Sequence, residues 1–326
     1  MMKRLQIIVM LVALAALLLS SSALAATKLR LAVAGQPMSA LMHIAVKEGF
    51  FKAEGLEVDV TTHISGKRAL LDGLFAGKAD VATTSDVPLA FNAFKRNDFR
   101  AVAAINFVDN TNRIVARKDA GIQSPEDLKG KRIATQKSSA VHYFMYLFLL
   151  KHGMLDEDVQ VSYMKGNMLP KALANNEIDA FSMREPYVGQ AVELLGDNAV
   201  VFAEPGLFPQ FDLVLVKKDI AAQPELLESL VKGLLKAEQF AKNSPVKAMR
   251  DVADTVGTSP ERIKKLWQDY QLNVHLPQAL LLSLESEAAW IMDSGFVSSP
   301  SEPDMLKLIE TAPLMKLKPE AVSIIK

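Results

Sequence analysis

The sequence predicts an α/β protein of two lobes, each a mainly parallel β-sheet flanked by helices, joined by a two-stranded hinge. Three observations lead to this fold class. One strand–loop–helix–strand–helix–strand pattern occurs twice along the chain. Strands and helices alternate within each copy, which is typical of parallel sheets with helices on their faces. Two similar strand-like segments lie at the ends of the second copy, where the chain would pass between the lobes.

The repeated pattern is visible as similar residues at equivalent places. In each copy a strand-like run leads into a loop and then into a run with helical spacing of apolar residues. A glycine follows where that helix should end, because glycine accepts the left-handed backbone of a helix terminus. The shared order and spacing favour a duplication over the generic punctuation of α/β proteins. Three pairs of segments match: residues 34–41 with 134–141, 46–51 with 150–155, and 74–81 with 173–180.

The two strand-like segments outside the repeats predict how the lobes are connected. Asn112 to Arg117 lies between the copies and Phe211 to Lys217 follows the second copy, and a Lys-Asp pair comes after each. Paired crossings of this kind predict a two-stranded hinge. We therefore expect a discontinuous first lobe at residues 26–114 plus 216–326 and a second lobe at residues 115–215. The helical tail that begins near Pro224 should pack on the first lobe.

The N-terminal segment predicts export. Lys3 and Arg4 precede an apolar run, and Ala23-Leu24-Ala25 fits an A-x-A cleavage site. The apolar run is shorter than the roughly 20 residues that a spanning helix needs, which favours a signal peptide over a membrane anchor. We expect a signal peptide at residues 1–25, cleavage near Ala25 and a periplasmic mature protein.

The composition argues against several classes of function. Lys plus Arg and Asp plus Glu both number 37, so the net charge is zero and a broad nucleic-acid-binding face is not expected. The chain has no cysteine, which excludes disulfides, thiolate metal sites and cysteine nucleophiles. Its five histidines show no metal-ligand spacing, and neither a glycine-rich cofactor loop nor a Ser-His-Asp pattern is visible. We expect a monomer that is not an enzyme and needs no cofactor or metal.

Five segments together carry a resemblance to a known family: residues 48–56, 76–82, 127–134, 178–181 and 184–187. With them the mature chain resembles the periplasmic binding proteins for nitrate, taurine, aliphatic sulfonates and the thiamine pyrimidine precursor. The resemblance implies a type II periplasmic-binding-protein fold, a small-molecule solute, and an ABC permease with its ATPase as partners. It does not identify the solute, because fold and function are separable. One departure is Arg184, which occupies a position that is often aromatic in such proteins.

The candidate ligand site follows from the repeat. Ligands of open α/β lobes bind beyond the carboxyl ends of the strands, where helix N-termini offer free N–H groups and a positive dipole end. Such loops suit an anion such as a sulfonate, nitrate or carboxylate. The candidate ligand-binding residues are Gln36, Pro37, Met38, Ser39, Thr84, Ser85, Asp86, Asn106, Lys137, Ser138, Ser139, Arg184 and Glu185.

Alternatives remain open for single residues and for the whole chain. Ser85 or Asp86 would serve equally as a helix cap, Lys137 as a solvated surface charge, and Arg184 as one half of a surface ion pair. The leading hypothesis is the solute-binding component of an ABC-type importer that closes its lobes around an anion. An enzyme on the same fold, such as a pyrimidine synthase or small-molecule lyase, and a ligand-sensing subunit for a receptor kinase are the rival classes.

Overall fold

The computed structural model describes residues 27–325, which form two five-stranded β-sheets with helices packed against them. This arrangement confirms the predicted two-lobed α/β class. The predicted signal peptide at residues 1–25 lies outside the described residues. The strands are β1 (Thr27–Ala34), β2 (Leu56–His63), β3 (Val81–Ser85), β4 (Phe99–Val108), β5 (Arg113–Arg117), β6 (Arg132–Thr135), β7 (Gln160–Tyr163), β8 (Ala180–Met183), β9 (Ala199–Ala203) and β10 (Gln210–Lys217).

Helices follow most of these strands, and a group of them forms the C-terminal third of the chain. The α-helices are α1 (Ala40–Lys47), α2 (Phe50–Ala53), α3 (Gly66–Arg68), α4 (Asp86–Ala93), α5 (Ala140–Lys151), α6 (Leu169–Ala174), α7 (Tyr187–Leu195), α8 (Lys218–Ala221), α9 (Pro224–Asn243), α10 (Pro245–Val256), α11 (Pro260–Trp267), α12 (Gln278–Asp293) and α13 (Ala312–Leu317). A π-helical turn covers Ala69–Leu74, and 3₁₀ turns cover Pro37–Ser39, Lys118–Ala120, Pro125–Leu128, Asp156–Asp158, Gly166–Met168, Gly196–Asn198, Leu306–Leu308 and Pro319–Ala321. None of the helices within residues 27–325 combines the length and apolar character that a membrane span requires.

The two sheets have the same strand order. The first sheet runs β2-β1-β3-β10-β4 and the second runs β7-β6-β8-β5-β9. In the first, β1 is parallel to β2 and β3, whereas β10 is antiparallel to β3 and β4. The second repeats this pattern with β6 parallel to β7 and β8, and with β5 antiparallel to β8 and β9. Four of the five strands in each sheet therefore run in one direction, as the predicted mainly parallel sheets require, and the fifth is a strand that crosses over from the other lobe and enters in the opposite direction.

The crossing strands connect the lobes as the paired segments suggested. β5 follows the first unit but lies in the second sheet, and β10 follows the second unit but lies in the first sheet. The short connections that precede these strands touch each other. Gly206 N donates a hydrogen bond to the Asp109 carbonyl oxygen at 3.0 Å. The Asn112 side chain donates to Gln210 Oε1 at 3.3 Å.

The strand pairing bears on where one lobe ends and the next begins. β5 pairs along its whole length within the second sheet, and β10 pairs along its whole length within the first. The limits expected from the sequence, between residues 114 and 115 and between 215 and 216, fall inside these two strands. The similarity of the two crossing segments identifies β5 and β10 as strands. Their hydrogen bonds show that all of β5 belongs to the second sheet and all of β10 to the first.

The C-terminal helices pack on the first lobe. α9 begins with Pro224 at its first helical position and buries an apolar stripe that includes Leu227, Leu230 and Leu234. It packs on α1 and α2, and α12 packs on α4 at the side of the cleft between the lobes. Tyr143 of the second lobe reaches α12, where its hydroxyl lies 2.8 Å from Ser286 Oγ.

Gly233 allows the close contact between α9 and Phe51. A Cβ atom at position 233 would lie 2.4 Å from Phe51 Cδ1, and Phe51 is only 1% exposed. Overpacking of this kind costs about 1–3 kcal/mol, whereas alanine in place of glycine inside a helix gains about 1 kcal/mol. We expect Gly233→Ala to lower the free energy of unfolding by up to about 2 kcal/mol in urea denaturation, since the clash outweighs the helix propensity. The exposed Gln239→Ala on the same helix should change it by less than about 0.5 kcal/mol. A more stable Gly233→Ala protein would contradict this packing.

Candidate functional site

A cleft lies between the lobes at the carboxyl ends of the strands. Its deep part is a small cavity of about 30 Å³. The N-cap residues of α4 and α5, Ser85 and Ser139, both line this cavity. Neither serine makes a side-chain capping bond to its own helix. Other polar side chains around it come from both lobes: Gln36, Ser65, Lys67, Gln136, Arg184 and Asp212.

A larger cavity of about 440 Å³ adjoins the small one, and Gln36, Met38 and Arg184 line both. Its walls come mainly from four parts of the chain, one of which is the segment that contains Asn110, Thr111 and Arg113. The first lobe contributes the loop after β1, and the second lobe contributes the loop after β8. The segment from the end of α10 to the residues after α11 contributes a third wall, which includes Arg262 and Tyr270.

The structure places the residues predicted for the site at different depths. Gln36, Pro37, Met38, Ser85, Ser139, Arg184 and Glu185 line one or both cavities. Ser39, Thr84, Asp86 and Asn106 are at most 8% exposed and lie beneath the cleft surface in the first lobe. Lys137 and Ser138 line neither cavity among the described pockets. Lys137 instead lies over the rings of Tyr163 and Phe296, and the Ser138 backbone N–H donates to His142 Nδ1 at 3.3 Å.

A close backbone approach supports the floor of the small cavity. Gly66, at the start of α3, lies against the backbone that joins β3 to α4. A Cβ atom at position 66 would be 2.8 Å from Thr84 Cα. Only glycine leaves room for this contact, which brings Ser65 and Lys67 next to Ser85 at the cavity wall.

A buried polar network lies directly behind the small cavity. Asp212 is 3% exposed and its Oδ2 accepts a hydrogen bond from Ser39 Oγ at 2.8 Å. Ser39 Oγ also lies 3.0 Å from Thr83 Oγ1. Asp86 is fully buried and accepts hydrogen bonds from the backbone N–H groups of Phe211 and Val87, both at 2.9 Å. Two carboxyl groups are thereby held under the cleft by β10, α4 and the turn before α1.

Burial makes these carboxyl groups weak acids. Desolvation, with a smaller contribution from the neighbouring Asp86 carboxyl, raises the pKa of Asp212 to about 7 against the lowering effect of Ser39 and Arg184. Desolvation also raises the pKa of Asp86, which its backbone hydrogen bonds oppose. Glu287 on α12 is fully buried, and its pKa lies well above the usual range because of burial and the charge of Asp86. At neutral pH Asp86, Asp212 and Glu287 are therefore protonated to a greater extent than exposed carboxyl groups would be.

Arg184 brings a positive charge to the junction of the two cavities. Its guanidinium Nη2 donates a long hydrogen bond of 3.4 Å to Gln36 Oε1 in the opposite lobe. No carboxylate oxygen within residues 27–325 lies within 4.0 Å of this guanidinium. Burial lowers the pKa of Arg184, but an arginine side chain remains charged at neutral pH. The cleft thus contains a partly buried cation that has no direct anionic partner among the described residues.

Further contacts join the lobes across the cleft. Lys67 Nζ of the first lobe donates to the Lys137 carbonyl oxygen at 3.0 Å. Arg262 Nη2, on α11, lies 3.4 Å from Glu185 Oε2 in the second lobe. The pKa of His142 falls to about 4 because it is buried and lies near Lys137 and Lys67. This histidine is therefore neutral at pH 7 and adds no charge to the cleft.

Several cleft residues were not anticipated from the sequence. Asp212 could have been recognised from the sequence, because it is a single acid in the otherwise apolar run Phe211 to Val216. Acids are seldom fully buried unless they are paired. The sequence around Lys67 and Arg113 contains no pattern that would identify them as cleft residues. Within residues 27–325 no group of three or more His, Asp or Glu side chains is arranged to hold a metal ion.

Comparison with known proteins identifies a matching family. The family model described as "NMT1/THI5 like" matches residues 36–248. A putative binding protein of Brucella abortus (strain 2308) is 27% identical over 206 residues, which cover 62% of this chain and 63% of that protein. The chain thus spans less than two thirds of the length of this relative. The taurine-binding periplasmic protein of Escherichia coli (strain K12) is 27% identical over 220 residues, covering 67% of this chain and 65% of the relative.

Solved structures share the fold at low sequence identity. The periplasmic aliphatic sulphonate binding protein of Escherichia coli superposes with a TM-score of 0.74 at 18% identity, covering 87% of this chain and 92% of that chain. The periplasmic nitrate-binding protein of Synechocystis PCC 6803 superposes with a TM-score of 0.69 at 14% identity, covering 91% of both chains. At these identities the similarity shows that the fold is the two-lobed one of periplasmic binding proteins.

Proposed function

Because this chain belongs to the NMT1/THI5-like family of periplasmic substrate-binding proteins, we propose that it captures a small anionic solute between its lobes for import. The observation that carries the proposal is Arg184. This cation lines both cavities, donates a long hydrogen bond to Gln36 in the opposite lobe, and has no carboxylate within 4.0 Å in residues 27–325. A guanidinium binds an oxyanion through two parallel hydrogen bonds, so an anionic solute would supply the partner that Arg184 lacks.

The surroundings of Arg184 support the same class of solute. The N-terminal ends of α4 and α5 point at the small cavity through Ser85 and Ser139, and helix N-termini favour negative charge. Lys67 adds a second cation at the same wall. Asp212 is the opposing charge, but a pKa of about 7 leaves it roughly half protonated at neutral pH, and the protonated carboxyl can donate a hydrogen bond to an oxyanion.

The proposed action is capture by closure of the hinge. A solute in the cleft would contact Gln36 and Ser85 of the first lobe together with Ser139 and Arg184 of the second. Only the closed form makes both sets of contacts, so the solute shifts the population toward that form. We propose that the closed protein then docks as a monomer on an ABC permease with its ATPase, in the periplasm, after removal of residues 1–25.

Titration calorimetry against a panel of solutes tests this function. The panel contains taurine, alkanesulfonates, nitrate and short carboxylates, with matched neutral alcohols and alkylamines as controls. We expect one solute per chain, preference for the anions, and recovery of the solute chemically unchanged. Absence of heat from every anion, or conversion of a solute into a product, would contradict the proposed function.

A further inference from the structure

The larger cavity exceeds the needs of a single small anionic group. Its volume of about 440 Å³ lies in the range of about 300–1,000 Å³ that is usual for sites of drug-sized ligands. Three arginines, Arg113, Arg184 and Arg262, line it together with two acids, Glu185 and Asp269. Arg262 and Glu185 already form an ion pair at 3.4 Å. The charges left to face the cavity are thus dominated by Arg113 and Arg184, with Asp269 opposing them.

Arg113 lies beside Arg184 where two neighbouring strands of the second sheet begin and end. β5 runs antiparallel to β8, and Arg113 is the residue paired with Met183, which directly precedes Arg184. Partners in such a pair lie about 4.5–5.5 Å apart at Cα. The Arg113 side chain donates to the adjacent Asn112 carbonyl oxygen at 2.8 Å. In the described part of the chain no carboxylate oxygen lies within 4.0 Å of its guanidinium, although Asp269 and Glu185 are near enough to influence its pKa.

The connection before β5 adds unpartnered polar atoms to the same wall. Asn110 and Thr111 line the larger cavity. Asn110 Oδ1 and Thr111 Oγ1 are buried and have no hydrogen-bond partner among residues 27–325. Leaving such atoms unsatisfied costs about 1–3 kcal/mol each, so these two side chains would gain free energy by turning toward a polar ligand group at this wall. Thr111 lines the cavity although its Oγ1 atom is buried, so a rotation about χ1 would bring the hydroxyl to an oxyanion as a hydrogen-bond donor.

We propose that the solute carries two separated oxyanion groups, one held by Arg184 at the small cavity and the other by Arg113 and Thr111 in the larger one. This inference rests on the proposed function and narrows its solute class to elongated dianions. The second group is defined by its chemistry as a carboxylate, sulfonate or phosphate. Asp269 sets the orientation, because its negative charge disfavours an oxyanion on its own side of the cavity.

The second group would also act on the hinge. Thr111 lies in the connection between β4 and β5, which is hydrogen-bonded to the other connection through Asp109 and Gly206. A solute bound to Thr111 and Arg184 therefore spans from the hinge to the cleft between the lobes. Only a dianion makes both contacts, so its second group adds a contact at the hinge that the matched monoanion lacks.

Paired ligands of equal chain length test the inference by calorimetry. Butanesulfonate is compared with butane-α,ω-disulfonate, and pentanoate with glutarate. We expect at least one dianion to bind roughly tenfold or more tightly than its monoanionic partner, as one additional charged hydrogen bond implies. Arg113→Gln and Thr111→Val should each reduce this advantage, because each weakens the binding of the dianion more than that of the monoanion. Arg250→Gln removes a charge from the exposed face of α10 and should preserve the advantage. Thermal unfolding of each variant verifies that it is folded.

The outcomes separate this inference from the proposed function. Dianions that bind no more tightly than monoanions would overturn the second oxyanion site and leave capture of an anion intact. A dianion advantage that survives in both Arg113→Gln and Thr111→Val would also overturn it, because the second group would then lie elsewhere. Failure of all four ligands overturns the dianion class, and only failure of the whole anion panel removes the proposed function.

Discussion

Replacing Arg184 with glutamine is expected to weaken the binding of an anionic solute by about 10-fold to 150-fold. A hydrogen bond to a charged group contributes about 1.5–3 kcal/mol, which corresponds to this range of affinity. The effect should be large because Arg184 lines both cavities and no carboxylate among the described residues lies close enough to replace the solute as its partner. Calorimetry of the anion that binds most tightly to the parent protein measures it.

Two controls make the Arg184 result specific. Arg184→Lys retains the charge but loses the bidentate geometry, so its affinity should fall between those of the parent and Arg184→Gln. Arg250→Gln changes the net charge equally at an exposed position that lines neither cavity. It should leave the affinity within about twofold, since solvent and salt screen an exposed charge from the bound anion. Equal affinities of the parent and the Arg184→Gln protein would remove Arg184 from the site.

Replacing Asp212 with asparagine is expected to stabilise the protein at pH 8 and to change its stability little at pH 4. The folded protein holds the Asp212 proton up to a pKa of about 7, whereas the unfolded chain releases it near the usual value of an aspartate. The unfolded state is therefore favoured increasingly as the pH rises from about 4 to 7, and the full cost remains above pH 7. At about 1.4 kcal/mol per pKa unit, asparagine should raise the free energy of unfolding by about 2–4 kcal/mol at pH 8.

Urea denaturation at several pH values measures this effect. Asparagine is nearly isosteric and keeps an oxygen that accepts the hydrogen bond from Ser39, so the packing should be preserved. Asp197→Asn, at an exposed position, should show no gain that depends on pH. A loss of stability in Asp212→Asn at pH 8 would contradict the burial argument and indicate that Arg184 stabilises an ionised Asp212.

The architecture was largely accessible from the sequence, because it depends on local patterns that occur twice. Gly49 and Gly153 both adopt positive φ at the ends of equivalent helices, α1 and α5, as the repeated glycine indicated. The crossing segments were identified from their similarity, and they occupy equivalent positions in the two sheets. Their direction was not evident, because a run of apolar residues does not distinguish a parallel strand from an antiparallel one.

The candidate site was only partly accessible. The loops that contain Gln36, Ser85, Ser139 and Arg184 were predicted because ligands of α/β lobes bind at helix N-termini, and these residues line the cleft. Lys67, Arg113 and Tyr270 were missed because each enters the cleft from a segment distant in sequence. Asp86 was proposed as a ligand-binding residue or a cap, whereas the structure buries its carboxyl beneath the cleft, bonded to the backbone of β10.

The amino-acid sequence by itself determined the duplicated strand–helix units, the helix ends and the two crossings, because spacing, glycine positions and apolar periodicity act over a few neighbouring residues. Only the tertiary structure decided the charge state and depth of the cleft residues. Asp86 and Asp212 share one desolvated region although 126 positions separate them in the sequence, and Arg184 reaches this region from the other lobe. A pKa depends on burial and on nearby charges, and both arise only when distant segments pack together.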